Sequence, residues 1–136
     1  MEQPVQKITT LLMFEGQAEE AMNYYVSVFD QAEVLSVNRY GAGETGAEGS
    51  IAHATFSLYG QKFMCMDSNV KHDFTFTAST SLYIGCASED EADRIFGKLA
   101  EGGQVRMPLE AYPFSKKFGW VTDKFGVSWQ VNLERN

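Results

Sequence analysis

An α+β fold of two tandem βαβββ modules is what this sequence predicts, and three observations carry that reading. The chain repeats its own pattern at an offset of 71 residues: Glu19-Glu20-Ala21 aligns with Asp90-Glu91-Ala92, Tyr24-Tyr25 with Ile95-Phe96, Val28 with Leu99 and Val34 with Val105. Each half opens on a strand-like run, continues into one amphipathic helix and ends in further strand-like runs, a succession that favours antiparallel pairing over a parallel sheet. The 136 residues, 44% of them hydrophobic, are enough for one domain with a real core and few for two independent ones. The expected organisation is a single domain over residues 1–136, with a first module at about 6–68, a linker at about 69–79 and a second module at about 80–134.

In the first half, residues 8–14 form the opening strand. Residues 17–29 form a helix whose buried side is Ala21, Met22, Tyr25, Val28 and Phe29, spaced at helical period. Strands follow near 33–40, 50–59 and 62–67. Between the first two of these lie Gly41, Gly43, Gly46 and Gly49. No Gly-Lys-Ser/Thr follows them and no helix is entered, so a hairpin loop fits better than a phosphate cradle. Residues 69–79 carry Phe74 and Phe76 and form either a linker or a lid over a pocket.

In the second half, residues 80–86 make a compact strand. Ser88 offers a helix-capping hydroxyl, with Glu91 at the capping-box spacing. Ala92, Ile95, Phe96 and Leu99 form the apolar face. Gly102-Gly103 end the helix, since glycine accepts the left-handed conformation there. Strands are expected near 104–109, 118–122 and 127–133, with Asp123-Lys124-Phe125-Gly126 as the turn between the last two.

Composition narrows the function. The net charge of −7 disfavours a nucleic-acid partner, because an acidic surface repels phosphate backbones. Lys116-Lys117 is an isolated pair on a solvated strand edge and not a basic patch. No apolar run approaches the roughly 20 residues of a membrane span. The polar stretch at residues 1–7 lacks the apolar core of a signal peptide. Cys65 and Cys86 do not make a disulfide framework; both sit in apolar strand-like runs and are expected as buried free thiols. A cytoplasmic protein is the natural expectation.

Period-2 alternation sorts the strands into faces. In the last strand Val127, Trp129, Val131 and Leu133 form the apolar face, expected beneath a helix, and Ser128, Gln130 and Asn132 form the other. In the strand from Ser50, Ala52, Ala54, Phe56 and Leu58 are the apolar set; Ile51, His53, Thr55, Ser57 and Tyr59 oppose them. The polar face is either merely solvated, as in many antiparallel sheets, or it lines a ligand cup. The aromatic residues Phe63, Phe118 and Trp120 mixed into it favour a small-molecule cup. His53, Thr55, Ser57, Trp120, Ser128 and Gln130 are the candidate ligand-binding residues.

The sequence resembles the PhnB-like branch of the vicinal oxygen chelate (glyoxalase/bleomycin-resistance/dioxygenase) superfamily, whose domain often carries the label 3-demethylubiquinone-9 3-methyltransferase. The segments that carry the resemblance are Ile8-Thr9-Thr10-Leu11-Leu12-Met13-Phe14, Gly16-Gln17-Ala18-Glu19-Glu20-Ala21 with Tyr24-Tyr25, His53-Ala54, Leu99-Ala100-Glu101-Gly102-Gly103 and Met107-Pro108-Leu109. The stretch Trp120-Val121-Thr122-Asp123-Lys124-Phe125-Gly126-Val127-Ser128-Trp129 is the most specific. The match covers roughly residues 6–134. It implies paired βαβββ modules whose curved, mixed or antiparallel sheets surround a cup with helices outside, in a homodimer packed or swapped across chains.

The resemblance also implies where a metal would sit in metal-dependent members: His or Glu on the first strand of each module and on the last strand. The matching positions here are around Thr9 or Thr10, around Thr80 or Ser81, and Gln130. The ligand pattern is therefore not present. A facial triad needs two histidines and a carboxylate at one point, and this chain has only His53 and His72. No metal and no cofactor are expected. The methyltransferase label finds no support either, since no Gly-x-Gly-x-Gly-like turn follows a strand of a parallel sheet. His53 is a candidate catalytic base, as an imidazole titrates near neutrality, but ligand-contact or structural roles outweigh catalysis. Four functions are compatible with these features: a metal-free small-molecule binding protein, an isomerase, lyase or group-transferase using His53 and Gln130, a metal-dependent dioxygenase or thiol-transferase, and an interaction module. The first is preferred.

Overall fold

A computed structural model describes residues 6–135; Met1 to Val5, the greater part of the polar N-terminal stretch, and Asn136 lie outside the described residues. The chain divides after His72 into two compact units. Unit one contains β1 (Thr10–Phe14), α1 (Ala18–Val28), β2 (Ala32–Arg39), β3 (Ile51–Leu58) and β4 (Gln61–Asp67). Unit two contains β5 (Ser81–Gly85), α2 (Glu89–Ala100), β6 (Gln104–Tyr112), β7 (Ser115–Thr122) and β8 (Ser128–Leu133). Their sheets have the same plan, β1-β4-β3-β2 and β5-β8-β7-β6. The opening strand pairs parallel with the last one and the other pairs are antiparallel. Each unit is thus a βαβββ module with a mixed sheet, as the repeat predicts.

In unit one, α1 lays Ala18, Ala21, Met22, Tyr25 and Val28 on the sheet. Tyr25 stacks on Phe56 of β3 (6.3 Å between centroids), and Phe56 on Phe63 of β4 (5.6 Å). Glu19 and Glu20 occupy the first turn, where the helix dipole favours negative charge. Gln17 provides no side-chain cap. The Asp67 carboxylate, arriving from the end of β4, accepts the backbone N–H of Gly16 (2.8 Å) and of Ala18 (2.9 Å) in its place.

Unit two caps its helix locally. Ser88 Oγ accepts the Glu91 N–H at 3.1 Å, and the Glu91 carboxylate accepts the Ala87 N–H at 2.7 Å, one residue before the position a standard capping box would use. Ala92, Ile95, Phe96 and Leu99 are buried against the sheet. Gly102 has φ +72, the left-handed value expected past a helix end. Gly103 is constrained differently: a Cβ there would sit 2.2 Å from the Thr122 carbonyl oxygen. Gly103→Ala is therefore expected to cost about 1–3 kcal/mol or more, since backbone cannot swing aside as a side chain can. The midpoint of urea unfolding would measure it; an unchanged midpoint would mean the two segments do not meet this closely.

Three expectations need correction. Alternation puts Ile51 with His53 on the face opposite Ala54, yet it is fully buried. The pairing explains this: Asn38 faces His53 but Arg39 faces Ile51, so β3 carries an extra residue at a bulge and Ile51 turns toward the helix side. The sequence pattern groups Phe63 with the aromatics of the polar face, but it lies under α1 in the Tyr25–Phe56–Phe63 stack. Cys86, expected as a buried thiol, is only half-buried, whereas Cys65 is buried as expected.

Two strands run further than their composition suggests. β6 continues past Pro108 to Tyr112, and β7 starts at Ser115. Pro108 is tolerated because β6 is an edge strand with register shifts on either side of it. The glycine-rich segment 41–49 is a loop between β2 and β3, closed by Tyr40 N–H to Ser50 O and Gly49 N–H to Tyr40 O, both 2.9 Å. Residues 69–79 have no helix or strand, and Phe76 comes close to Gly126 in the β7–β8 turn. No helix of the described residues is long and apolar enough to cross a membrane.

Candidate functional site: the helix-averted sheet faces

Each sheet keeps one face for its helix and leaves a second, more polar one. In unit two the helix-facing set is Val127, Trp129, Val131 and Leu133, all buried, together with Gly119 and Val121 of β7. Gly119 is there because a Cβ would meet the Phe96 ring of α2 at 2.8 Å. The opposite face carries Ser81 of β5, Ser128 and Gln130 of β8, and Trp120 and Thr122 of β7. Register places Trp120 beside Gln130, Thr122 beside Ser128 and Ser81 on the other side of Ser128.

These side chains form a connected network. Trp120 Nε1 donates to Ser128 Oγ at 2.9 Å. Ser128 and Ser81 share a hydroxyl–hydroxyl bond of 2.7 Å, and Gln130 Nε2 donates to Ser81 Oγ at 3.3 Å. From the neighbouring β6, Arg106 Nε donates to Thr122 Oγ1 at 2.6 Å, with its guanidinium 5.9 Å from the Trp120 ring centroid. Ser128 is buried, Trp120 and Gln130 are half-buried, and Arg106 is exposed. Three of the six sequence-predicted residues, Trp120, Ser128 and Gln130, are thus brought into one polar surface with an indole at its centre.

The same face is closed at its other end. Phe118 is buried beneath Tyr112 and Phe114, at centroid distances of 6.0 and 5.1 Å. Asn132 is buried too, accepting Ser115 Oγ–H at 2.5 Å. Phe118, expected among the pocket aromatics, is thus buried in an aromatic cluster at the sheet's end.

In unit one, β3 presents His53, Thr55 and Ser57 on alternate positions, His53 exposed and the other two half-buried. His53 Nε2 lies 3.3 Å from Met64 Sδ on β4. His72 lies in the segment after β4 and pairs with Ser68 Oγ at 2.9 Å. Two open clefts of unit one, of about 470 and 290 Å³, lie among its loops, and none of the six predicted residues lines them.

Ser81, Arg106 and Thr122 complete the unit-two surface without having been named as part of it. Thr122 was within reach of period-2 alternation from Trp120. Arg106 was not, because the β6–β7 pairing slips between Val105 and Met107. Burial, with the Asp67 carboxylate second, pushes the Cys65 thiol up to about 12; burial, with Glu91 second, pushes Cys86 up to about 11. Both are protonated and poorly nucleophilic near neutral pH.

The model of the 3-demethylubiquinone-9 3-methyltransferase family matches residues 6–132. The chain belongs to this family. A solved structure of a PhnB protein from Bacillus cereus, described under the same family name, is 61% identical to this family member. It covers 94% of this chain and 99% of its own, with a TM-score of 0.92. Protein YjdN of Escherichia coli (strain K12) is 28% identical over 93% of this chain and 94% of its own length. A glyoxylase/bleomycin resistance protein/dioxygenase domain from Frankia sp. EAN1pec shares the fold at 15% identity, with 98% of this chain and 100% of that one covered and a TM-score of 0.66. This PhnB-like family member accordingly shares the fold of the glyoxylase/bleomycin resistance protein/dioxygenase domain.

The superfamily's divalent-metal centre can be tested against the donors present. Around the positions where the resemblance puts ligands stand Thr9 or Thr10, Thr80 or Ser81, and Gln130. Two hydroxyls and an amide are weak donors for a divalent ion. The Ser81 hydroxyl is moreover bonded to Ser128, and the Gln130 amide nitrogen to Ser81. Among the described residues no three His, Cys, Asp or Glu side chains gather where they could hold an ion. The residues of this PhnB-like protein do not fit that centre.

Proposed function

We propose that this PhnB-like protein binds a small organic molecule, without a divalent metal, on the helix-averted face of its second sheet. The observation that carries the reading is the Ser81–Ser128–Gln130–Trp120 network with Arg106 beside the indole. A half-buried aromatic with a few fixed polar groups is the usual composition of a small-molecule site. Trp120 supplies a flat apolar surface whose orientation is set by its bond to Ser128. Gln130 supplies an amide steered by Ser81. Arg106, held by Thr122, supplies a guanidinium suited to a carboxylate or other acidic oxygen. The favoured ligand class is a small molecule with one flat apolar part and one acidic or carbonyl group. On the first sheet His53, Thr55 and Ser57 offer polar contacts of a similar kind. The methyltransferase activity in the family's label forms no part of this reading, because no residue pattern in the chain argues for it.

A thermal-denaturation screen against small carboxylic acids and aromatic metabolites tests the proposal. A ligand at a hundredfold excess over its Kd stabilises by about 2.7 kcal/mol, a rise of several degrees in Tm. The rise is expected to vanish in Trp120→Ala and in Gln130→Ala, whose side chains are half-buried and whose loss leaves the core intact. A stabilising ligand whose effect survives both substitutions would contradict the site.

A further inference from the structure

The helix-averted face of the first sheet collects an unusual set of donors. His53 on β3 points its Nε2 at the Met64 thioether, 3.3 Å away. Met66 lies two residues further along β4, on the same face as Met64, since the intervening Cys65 is buried on the helix side. Met13 of β1 is the register partner of Met66 and alternates with the buried Leu12 and Phe14, so it too belongs to this face. Met13, Met64 and Met66 are each half-buried, and His53 is exposed. One imidazole and three thioethers thus share one patch of a single sheet.

We infer that this patch is a binding site for a soft monovalent cation, copper(I) in chemical class, with His53 and Met64 as its primary ligands and Met66 and Met13 completing it. Thioethers are poor ligands for Mg²⁺ or Ca²⁺, and they select Cu(I) by their softness. The geometry agrees. With metal bonds of roughly 2.1 Å to nitrogen and 2.3 Å to sulfur, donors 3.3 Å apart subtend about 100° at the ion, near the tetrahedral angle. Methionine also has the rotational freedom to bring Met66 and Met13 onto the same ion. The site stands on unit one alone and does not depend on the small-molecule reading of unit two. Its residues are also not the ones at which the resemblance places the superfamily's divalent ligands. The nearest thiol does not compete from the same side: Cys65 Sγ points away beneath α1, 4.0 Å from the Ala18 carbonyl oxygen.

Silver(I), a redox-inert soft cation, is the first probe. In protein labelled with ¹³C at the methionine methyl groups, one equivalent in chloride-free buffer is expected to move the Met64 and Met66 resonances, and that of Met13, each assigned from a Met→Leu variant. Met22, buried on the sheet-facing side of α1, should not move. Competition with a chromophoric copper(I) chelator under ascorbate is the second measurement. Met64→Leu, which conserves volume, and His53→Ala, at an exposed position, are each expected to weaken copper(I) roughly tenfold or more. Silver(I) uptake that leaves the Met64 methyl unmoved would overturn the inference. So would copper(I) affinity unchanged in both variants, because the cysteines or another set would then hold the ion.

Discussion

Asp67→Ala is expected to lower folding stability by about 3–5 kcal/mol, because it leaves buried backbone N–H groups without the carboxylate that accepts from them. The Asp67 carboxylate is 3% exposed. Its Oδ1 accepts the N–H of Gly16 and of Ala18, and its Oδ2 accepts the N–H of Ile51 at 2.9 Å. One side chain therefore joins the β1–α1 turn, the first residue of the helix and the start of β3 to the end of β4. Alanine would leave three backbone donors with no partner, two of them, on Ala18 and Ile51, in buried bonds, at about 1–3 kcal/mol for each that water cannot reach. Against a total of about 5–15 kcal/mol for a domain this is a large fraction. Asp67→Asn, which keeps one acceptor oxygen, should fall between the two. Urea unfolding followed by circular dichroism measures all three proteins. A loss below about 1 kcal/mol for the alanine variant would mean that water or a rearranged turn satisfies these donors.

Trp129→Ala is the second large effect, about 3–5 kcal/mol, as for other large-to-small changes in a core. Trp129 is 1% exposed on the helix side of β8. Its loss would open a cavity and also remove the bond from Nε1 to Asp123 Oδ2 at 2.8 Å. Asp123 Oδ1 is meanwhile fixing the β7–β8 turn by accepting the N–H of Phe125 (2.8 Å) and Val127 (3.1 Å). Trp129→Phe should retain most of the packing and lose mainly the hydrogen bond. The difference between the two variants separates cavity from polar cost. A loss below about 1 kcal/mol in Trp129→Ala would place the indole outside the core.

Much of this architecture was legible because local chemistry and tertiary demand agree. The helix faces follow from Ala21, Met22 and Tyr25 and from Ala92, Ile95 and Leu99, whose spacing admits no other packing side. The turn Asp123-Lys124-Phe125-Gly126 and the cap at Ser88 are local motifs. The face of β8 was legible from strict alternation. Alternation failed where the backbone breaks period: the bulge that turns Ile51 inward depends on how β2 pairs with β3, and nothing in residues 50–53 announces it. Phe63 was misplaced because Lys62-Phe63-Met64 mixes polar and apolar residues on both faces. The roles of Asp67 and Asp123 were missed for a related reason. A carboxylate at a strand end is ordinary in sequence, and only long-range folding brings Gly16 and Ile51 to Asp67. Within the candidate site, Trp120, Ser128 and Gln130 could be read from alternation, while Arg106 needed the shifted register of β6.

The most direct test of the small-molecule reading uses the two indole N–H groups, which report on opposite faces of the same sheet. Trp120 Nε1 is bonded to Ser128 Oγ on the helix-averted face, and Trp129 Nε1 to Asp123 beneath the helix. In a ¹⁵N–¹H spectrum with any ligand that raises the melting temperature, the Trp120 indole resonance is expected to shift on titration while the Trp129 resonance stays in place. A stabilising ligand that leaves Trp120 unmoved would contradict the account, because binding would then lie away from the Trp120–Ser128–Gln130 surface.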